Sequence, residues 1–246
     1  MSGKILLLDI GNSRVKGALA DAAGVLQPLA AVSHQADAAA AIAAIETDAP
    51  NALWISHVLG SAIEAQLVAA VKTRWRLSPN FARSTAEFAG LRSGYAEPER
   101  LGVDRWLAML AARAQAWDSA LVVDAGTALT ADLIDASGQH RGGIIAGGLL
   151  TAQRGVLGAT RFATRDLHAS YDGGLGRDTE ACVRQGAMLG CLGAIDRAAD
   201  LGEPPCRRLI TGGDAETLLP YLKGAWQHRP NLVLEGLQVY ARAERQ

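Results

Sequence analysis

Residues 121–133 read LVVDAGTALTADL, an apolar run that drives into Asp124, reverses through Ala125, Gly126 and Thr127, and leaves as a second half-apolar run. The pattern is two short strands joined by a tight turn, with a carboxylate at the strand end. The chemistry it offers is anion binding. Gly126 lets the backbone come close to a bound anion, and Thr127 and Thr130 bring hydroxyls near it. An ordinary hairpin in which Asp124 opens an Asx turn accounts for one such stretch as well. Residues 5–19, ILLLDIGNSRVKGAL, repeat the device: Asp9 falls on Asp124, Gly11 on Gly126 and Asn12 on Thr127, at an offset of 115 residues. Two copies near half a chain length apart suggest an internal duplication and two similar halves. In the first copy Arg14 and Lys16 follow the turn, where they could lie along phosphates held by its backbone N–H groups. A solvated strand position accounts for Lys16 equally.

A third carboxylate, Asp104, lies in LGVDRWLAMLAARA at residues 101–114. Trp106, Met109, Leu110 and Arg113 recur at helical spacing, so residues 105–114 form a helix and Asp104 sits at or beside its N-terminus. There its charge is favoured, and its plainest role is an N-cap. Residues 140–150, HRGGIIAGGLL, carry four glycines around an apolar centre. Such density suggests backbone pressed against a ligand or a neighbouring element, or a glycine-rich turn between strand and helix.

The elements that must hold these groups follow from periodicity and punctuation. Residues 5–9 form a buried strand, a second strand continues through Val15, Ala18 and Leu19, and a third spans 25–32 after a turn. Alanine-rich residues 36–47 form a helix that ends before Pro50; 52–58 return as a buried strand, 61–74 as a helix, and Trp75, Leu77 and Phe81 as a short extended segment. The order βββαβα resembles the unit shared by ribonuclease-H-like domains and favours an α/β fold. Residues 90–100 form a polar loop, 150–158 a helix, 164–176 a loop, and 179–198 a long helix after Asp178 as N-cap. Residues 209–214, LITGGD, form a buried strand stopped by a glycine pair, suited to lie against the adenine side of a nucleotide, or merely a strand end. Residues 231–240 begin as a strand and end as a helix. The domain boundary falls after Trp117, giving halves 1–118 and 119–246.

The chain has 246 residues, 49% of them hydrophobic, and a formal charge of -1, the profile of an ordinary soluble globular protein. No basic tract marks a nucleic-acid partner, and no apolar run reaches the ~20 residues of a membrane span, which predicts a cytoplasmic protein without membrane attachment. Cys182, Cys191 and Cys206 are unevenly spaced without CxxC pairing, so they read as small buried hydrophobes. His34, His57, His140, His168 and His228 are scattered without ligand spacing and read as structural or surface residues.

Taken in order, DIGNSRVK at 9–16, Tyr95 with Pro98 and LGVDRW at 101–106, DAGTALT at 124–130, GGIIAGG at 142–148, DTEA at 178–181 and ITGGDA at 210–215 resemble the type III pantothenate kinases. These belong to the superfamily of acetate and sugar kinases, heat-shock chaperones and actin. The resemblance implies an α/β fold of two similar ribonuclease-H-like halves, each a mixed sheet flanked by helices, with a central cleft. It implies phosphorylation of pantothenate to 4'-phosphopantothenate by ATP, with magnesium and a monovalent cation, potassium or ammonium, in a homodimer.

Carried over by position, the first turn of Asp9, Ile10, Gly11, Asn12, Ser13, Arg14, Val15 and Lys16 resembles the family's ATP-phosphate loop, with Asp9 toward magnesium and Lys16 toward phosphate. Thr127 is similar to the second ATP contact, and Asp124 to the residue that binds the monovalent cation. Gly102, Val103, Asp104 and Arg105 resemble the pantothenate-binding segment, with Asp104 as proton acceptor, and Tyr95 and Thr179 correspond to further substrate contacts. The family often has proline where this chain has Ala146. Two other readings remain: another small-molecule kinase of the superfamily, such as a sugar kinase, and a non-enzymatic accessory regulator that keeps the fold.

Overall fold

Continuous apolarity makes Ile5–Ile10 (β1) a strand covered on both faces, and its parallel partner Ala52–His57 (β5) is equally apolar. The computed structural model describes residues 4–34, 37–115, 119–160, 171 and 173–245. Within them the chain divides into two compact units, Met1–Ala116 with Asn231–Gln246, and Trp117–Pro230.

In the first unit β1 is followed by Arg14–Ala20 (β2), Leu26–Pro28 (β3), Val32–Ser33 (β4), the helix Ala38–Ala43 (α1), β5, the helix Glu64–Trp75 (α2), Asn80–Phe81 (β6), the hairpin strands Glu87–Phe88 (β7) and Leu91–Arg92 (β8), and the helix Val103–Arg113 (α3). The sheet runs β3-β2-β1-β5-β6, with β4 on the far part of β2. β1 and β2 are antiparallel, whereas β1–β5 and β5–β6 are parallel. One face buries Leu6, Leu8, Ile10, Val15, Leu53 and Ile55 against Ile42 of α1 and Leu67 and Val71 of α2. The expected third strand, 25–32, is broken in two: Pro28 ends β3, since it lacks the N–H to continue a ladder. The expected helix 36–47 keeps only six residues, opened by Asp37, whose carboxylate accepts the Ala40 N–H at 2.8 Å.

The second unit repeats the plan. Ala120–Ala125 (β9), Ala128–Ile134 (β10), His140–Gly147 (β11), Arg207–Thr211 (β12) and Gln227–His228 (β13) run in the order β11-β10-β9-β12-β13. The helices are Leu149–Gly158 (α4), Thr179–Ala199 (α5) and Ala215–Leu218 (α6). Asp178 caps α5 as expected, its carboxylate accepting the Ala181 N–H at 2.7 Å. The glycine-rich segment is itself the edge strand β11 rather than a turn. The expected loop at 164–176 lies largely outside the described residues.

The last helix, Leu232–Ala243 (α7), corrects two expectations. It is helical throughout with no strand at its start, and it belongs to the first unit, not to a half spanning 119–246. Gly236 lies against the Leu107 carbonyl of α3, where any Cβ would overlap, so the two helices meet backbone to backbone. Tyr240 stacks on Phe88 at 4.4 Å and meets Trp54 of β5 edge-on at 5.8 Å.

Candidate active site

Both strand-turn-strand devices form, and they share more than their sequences show. The first strand of each has its carboxylate half-buried and next to last, and the second strands β2 and β10 have identical alternations of burial. Each turn closes with the glycine N–H donating across it at 3.0 Å, Gly11 to the Arg14 carbonyl and Gly126 to the Ala128 carbonyl. The second turn is one residue shorter. The offset between copies is therefore 115 in the leading strands and 114 in the trailing ones.

Register then defines two equivalent rows. Asp9 stands between Lys16 on β2 and Ser56 on β5. Asp124 stands between Thr130 on β10 and Thr211 on β12. Paired positions share a face, so each carboxylate has a polar neighbour on either side at the C-terminal end of its strand. Ser56 is fully buried, and its Oγ has no hydrogen-bond partner among the described residues. No sequence signal marked Ser56, because a parallel strand pairing is invisible to local pattern.

Of the remaining first-turn positions, Asn12, Ser13 and Arg14 are exposed, and Gly11 has only the Arg14 carbonyl oxygen, 3.7 Å away, near where a Cβ would stand. Ile10 and Val15 are core side chains, so only their backbone is available to a ligand. The turn is braced by His34: its Nε2 donates to the Gly11 carbonyl at 2.9 Å, and its own N–H to the Ser13 carbonyl at 3.1 Å.

The second turn is braced by α4. The Thr127 carbonyl accepts the Thr151 hydroxyl at 2.6 Å and the Gly148 N–H at 3.1 Å. A Cβ on Gly148 would overlap the Gly126 carbonyl oxygen, so at that position glycine is explained by close approach to the turn, whereas a Cβ on Gly142, at φ +110°, would meet nothing within 4 Å. Gly212, at φ +98°, likewise brings the end of β12 onto Ala125 and Asp124, and the Asp214 N–H donates to the Ala125 carbonyl at 2.9 Å.

Asp104 is the second residue of α3. The N-cap is Gly102, which makes no side-chain cap bond, so the expected capping role for Asp104 is replaced by a first-turn carboxylate whose Oδ1 accepts the Arg105 N–H at 2.8 Å. Arg105 is buried, and its Nη1 donates to the Tyr95 hydroxyl at 3.0 Å. Val103 is half-buried beside them, and the Leu101 carbonyl is tied to Ser84 Oγ at 2.7 Å, which steadies the approach to α3.

Thr179 is exposed at the start of α5 and lines a cavity of about 950 Å³ in the second unit, with Gly147, Cys182, Gly186, Gly190 and Cys191. Cys182 is exposed, correcting the expectation of a buried residue, because its position faces this cavity. Cys191 is buried, and burial, with a smaller push from Asp214, raises its thiol to about 11.

A sequence model of the family described as type III pantothenate kinase matches residues 5–200. The chain is 36% identical over 251 residues to the type III pantothenate kinase of Halorhodospira halophila, covering 97% of this chain and 98% of that one. It is 34% identical over 245 residues to that of Nitrosococcus oceani, covering 95% and 92%. Among solved structures, a Campylobacter jejuni protein described as a Baf family transcriptional activator superposes with a TM-score of 0.61 at 21% identity, over 98% of each chain, a likeness of fold. With its duplicated sheets, paired carboxylate turns and these relatives, the chain belongs to the type III pantothenate kinase family.

Proposed function

We propose that the protein transfers the γ-phosphoryl group of ATP to the primary alcohol of pantothenate, giving 4'-phosphopantothenate, the first step of coenzyme A biosynthesis. The observation that carries the reading is the repeated register of carboxylate, glycine turn and polar neighbours in the two sheets.

Phosphoryl transfer needs positioning and charge neutralisation more than covalent help from the protein. The backbone N–H groups of the first turn and the Lys16 ammonium hold phosphate oxygens, and Gly11 leaves the space they need. Thr127 supplies the second nucleotide contact. Asp104 accepts the proton of the attacking alcohol, and Tyr95 orients the Arg105 fork for a carboxylate or for charge developing on the phosphoryl group. Thr179 and the segment Gly102 to Arg105 complete the pantothenate contacts.

A magnesium ion bound here would supply positive charge against the phosphates. Asp9 is assigned to hold it. The Ser56 hydroxyl, in register beside Asp9 and without a hydrogen-bond partner among the described residues, would fit a further contact to that ion. Asp124, flanked by the Thr130 and Thr211 positions, is assigned to the monovalent cation, potassium or ammonium.

A homodimer belongs to the same reading. It is supported by β11, an end strand whose Ile144 and Ile145 are exposed, together with exposed Val156 on α4 and Leu189 on α5. So does a cytoplasmic location; no helix among the described residues is long and apolar enough to cross a membrane.

A coupled ADP-release assay with pantothenate, with and without potassium, tests the reading. Asp104→Asn is expected to lower kcat by roughly 10²–10⁴-fold while ATP still binds. ADP release indifferent to pantothenate, or full turnover by the variant, would sink it.

A further inference from the structure

We infer that His34 is a positioning residue for the nucleotide, holding the first phosphate turn in its binding shape; the inference deepens the proposed function and rests on the first turn being an ATP-phosphate loop. The two turns are braced by different means. The second is packed under the first turn of a ten-residue helix, whose Gly148 N–H and Thr151 hydroxyl both reach the Thr127 carbonyl. The first is held by β4, two residues long and paired with β2 at Arg14 and Val15, and by the imidazole that follows it.

His34 makes two bonds to that turn, from Nε2 to the Gly11 carbonyl at 2.9 Å and from its backbone N–H to the Ser13 carbonyl at 3.1 Å. A carbonyl only accepts, so Nε2 carries the proton and Nδ1 is the bare nitrogen. In a trans peptide the C=O and the following N–H point opposite ways. Holding the Gly11 carbonyl toward His34 therefore aims the Asn12 N–H away from it, out of the turn, as an anion-binding loop requires.

Nδ1 is itself buried, without a hydrogen-bond partner among the described residues. Burying an unpaired polar atom is a cost that a leucine of similar size would avoid. A residue kept only to fill space would not bear it, whereas one needed for its Nε2–H donor would.

The test compares His34→Leu, which keeps bulk and removes the donor, with His34→Gln, whose amide nitrogen can donate again. ATP affinity is measured by titration without pantothenate, so that it does not depend on which alcohol is phosphorylated. His34→Leu is expected to weaken ATP binding about tenfold and leave the KM for pantothenate within about twofold, with His34→Gln recovering most of the ATP affinity. Unchanged ATP affinity in His34→Leu, or equal losses toward both substrates, would overturn the inference. If the leucine variant does not fold, nitrogen NMR of the wild-type imidazole decides: a protonated Nε2 supports the assignment and a protonated Nδ1 refutes it. A wild-type protein that binds ATP but leaves pantothenate untouched would defeat the proposed function and not this inference.

Discussion

Arg105 donates from Nη1 to the phenol oxygen of Tyr95 over 3.0 Å, with its guanidinium carbon 5.8 Å from the centre of that ring. The pair ties the loop before α3 to the first turn of that helix, next to Asp104. A neutral phenol orients the buried guanidinium without neutralising its charge.

Tyr95→Phe keeps the ring and removes the acceptor. A hydrogen bond to a charged group contributes about 1.5–3 kcal/mol, so kcat/KM for pantothenate should fall at least about tenfold. ATP affinity should stay within about twofold. Steady-state kinetics in both substrates checks this, and equal effects on the two would contradict it.

Gly11, in the first turn, and Gly148, the N-cap of α4 packed on the second, should respond in different ways. At Gly11 a Cβ meets nothing nearer than 3.7 Å, so Gly11→Ala should unfold at an unchanged temperature yet bind ATP more weakly, because the methyl occupies phosphate space. At Gly148 a Cβ overlaps the Gly126 carbonyl, so Gly148→Ala should cost about 2 kcal/mol of stability. Thermal melts beside ATP titrations separate the two effects.

Burial holds the His57 imidazole below its ordinary value of 6.5, against the opposing pull of its hydrogen bond to Glu64 and that carboxylate's charge, with Arg83 adding a smaller downward push. The native state thus binds the proton less readily than the unfolded chain. Stability is retained above about pH 6.5, falls as pH drops below it, and levels off once the folded imidazole is protonated too. Urea midpoints at about pH 7.5 and 5.5 should show His57→Gln losing less on acidification than wild type; identical losses would assign the acid sensitivity elsewhere.

Ile145, 64% exposed on the end strand β11, is the position at which a charge should block edge-to-edge association. Ile145→Lys is expected to shift the protein from dimer to monomer in sedimentation with little change in melting temperature, since the side chain packs little within its own unit. A wild-type monomer would refute the proposed dimer.

Residue order alone determined the paired acidic turns, the helix behind Asp104, the Asp178 cap and the α/β class, because each is a local matter of apolar period, glycine spacing and short-range hydrogen bonding. Tertiary structure alone decided that Ser56 and Thr211 flank the two carboxylates, that His34 and Gly148 brace the turns, that Tyr95 meets Arg105, and that α7 completes the first unit. Those relations join residues brought close by sheet pairing and helix packing across long stretches of chain. Such contacts depend on which faces meet, and a pattern read along a few turns of backbone holds no record of that.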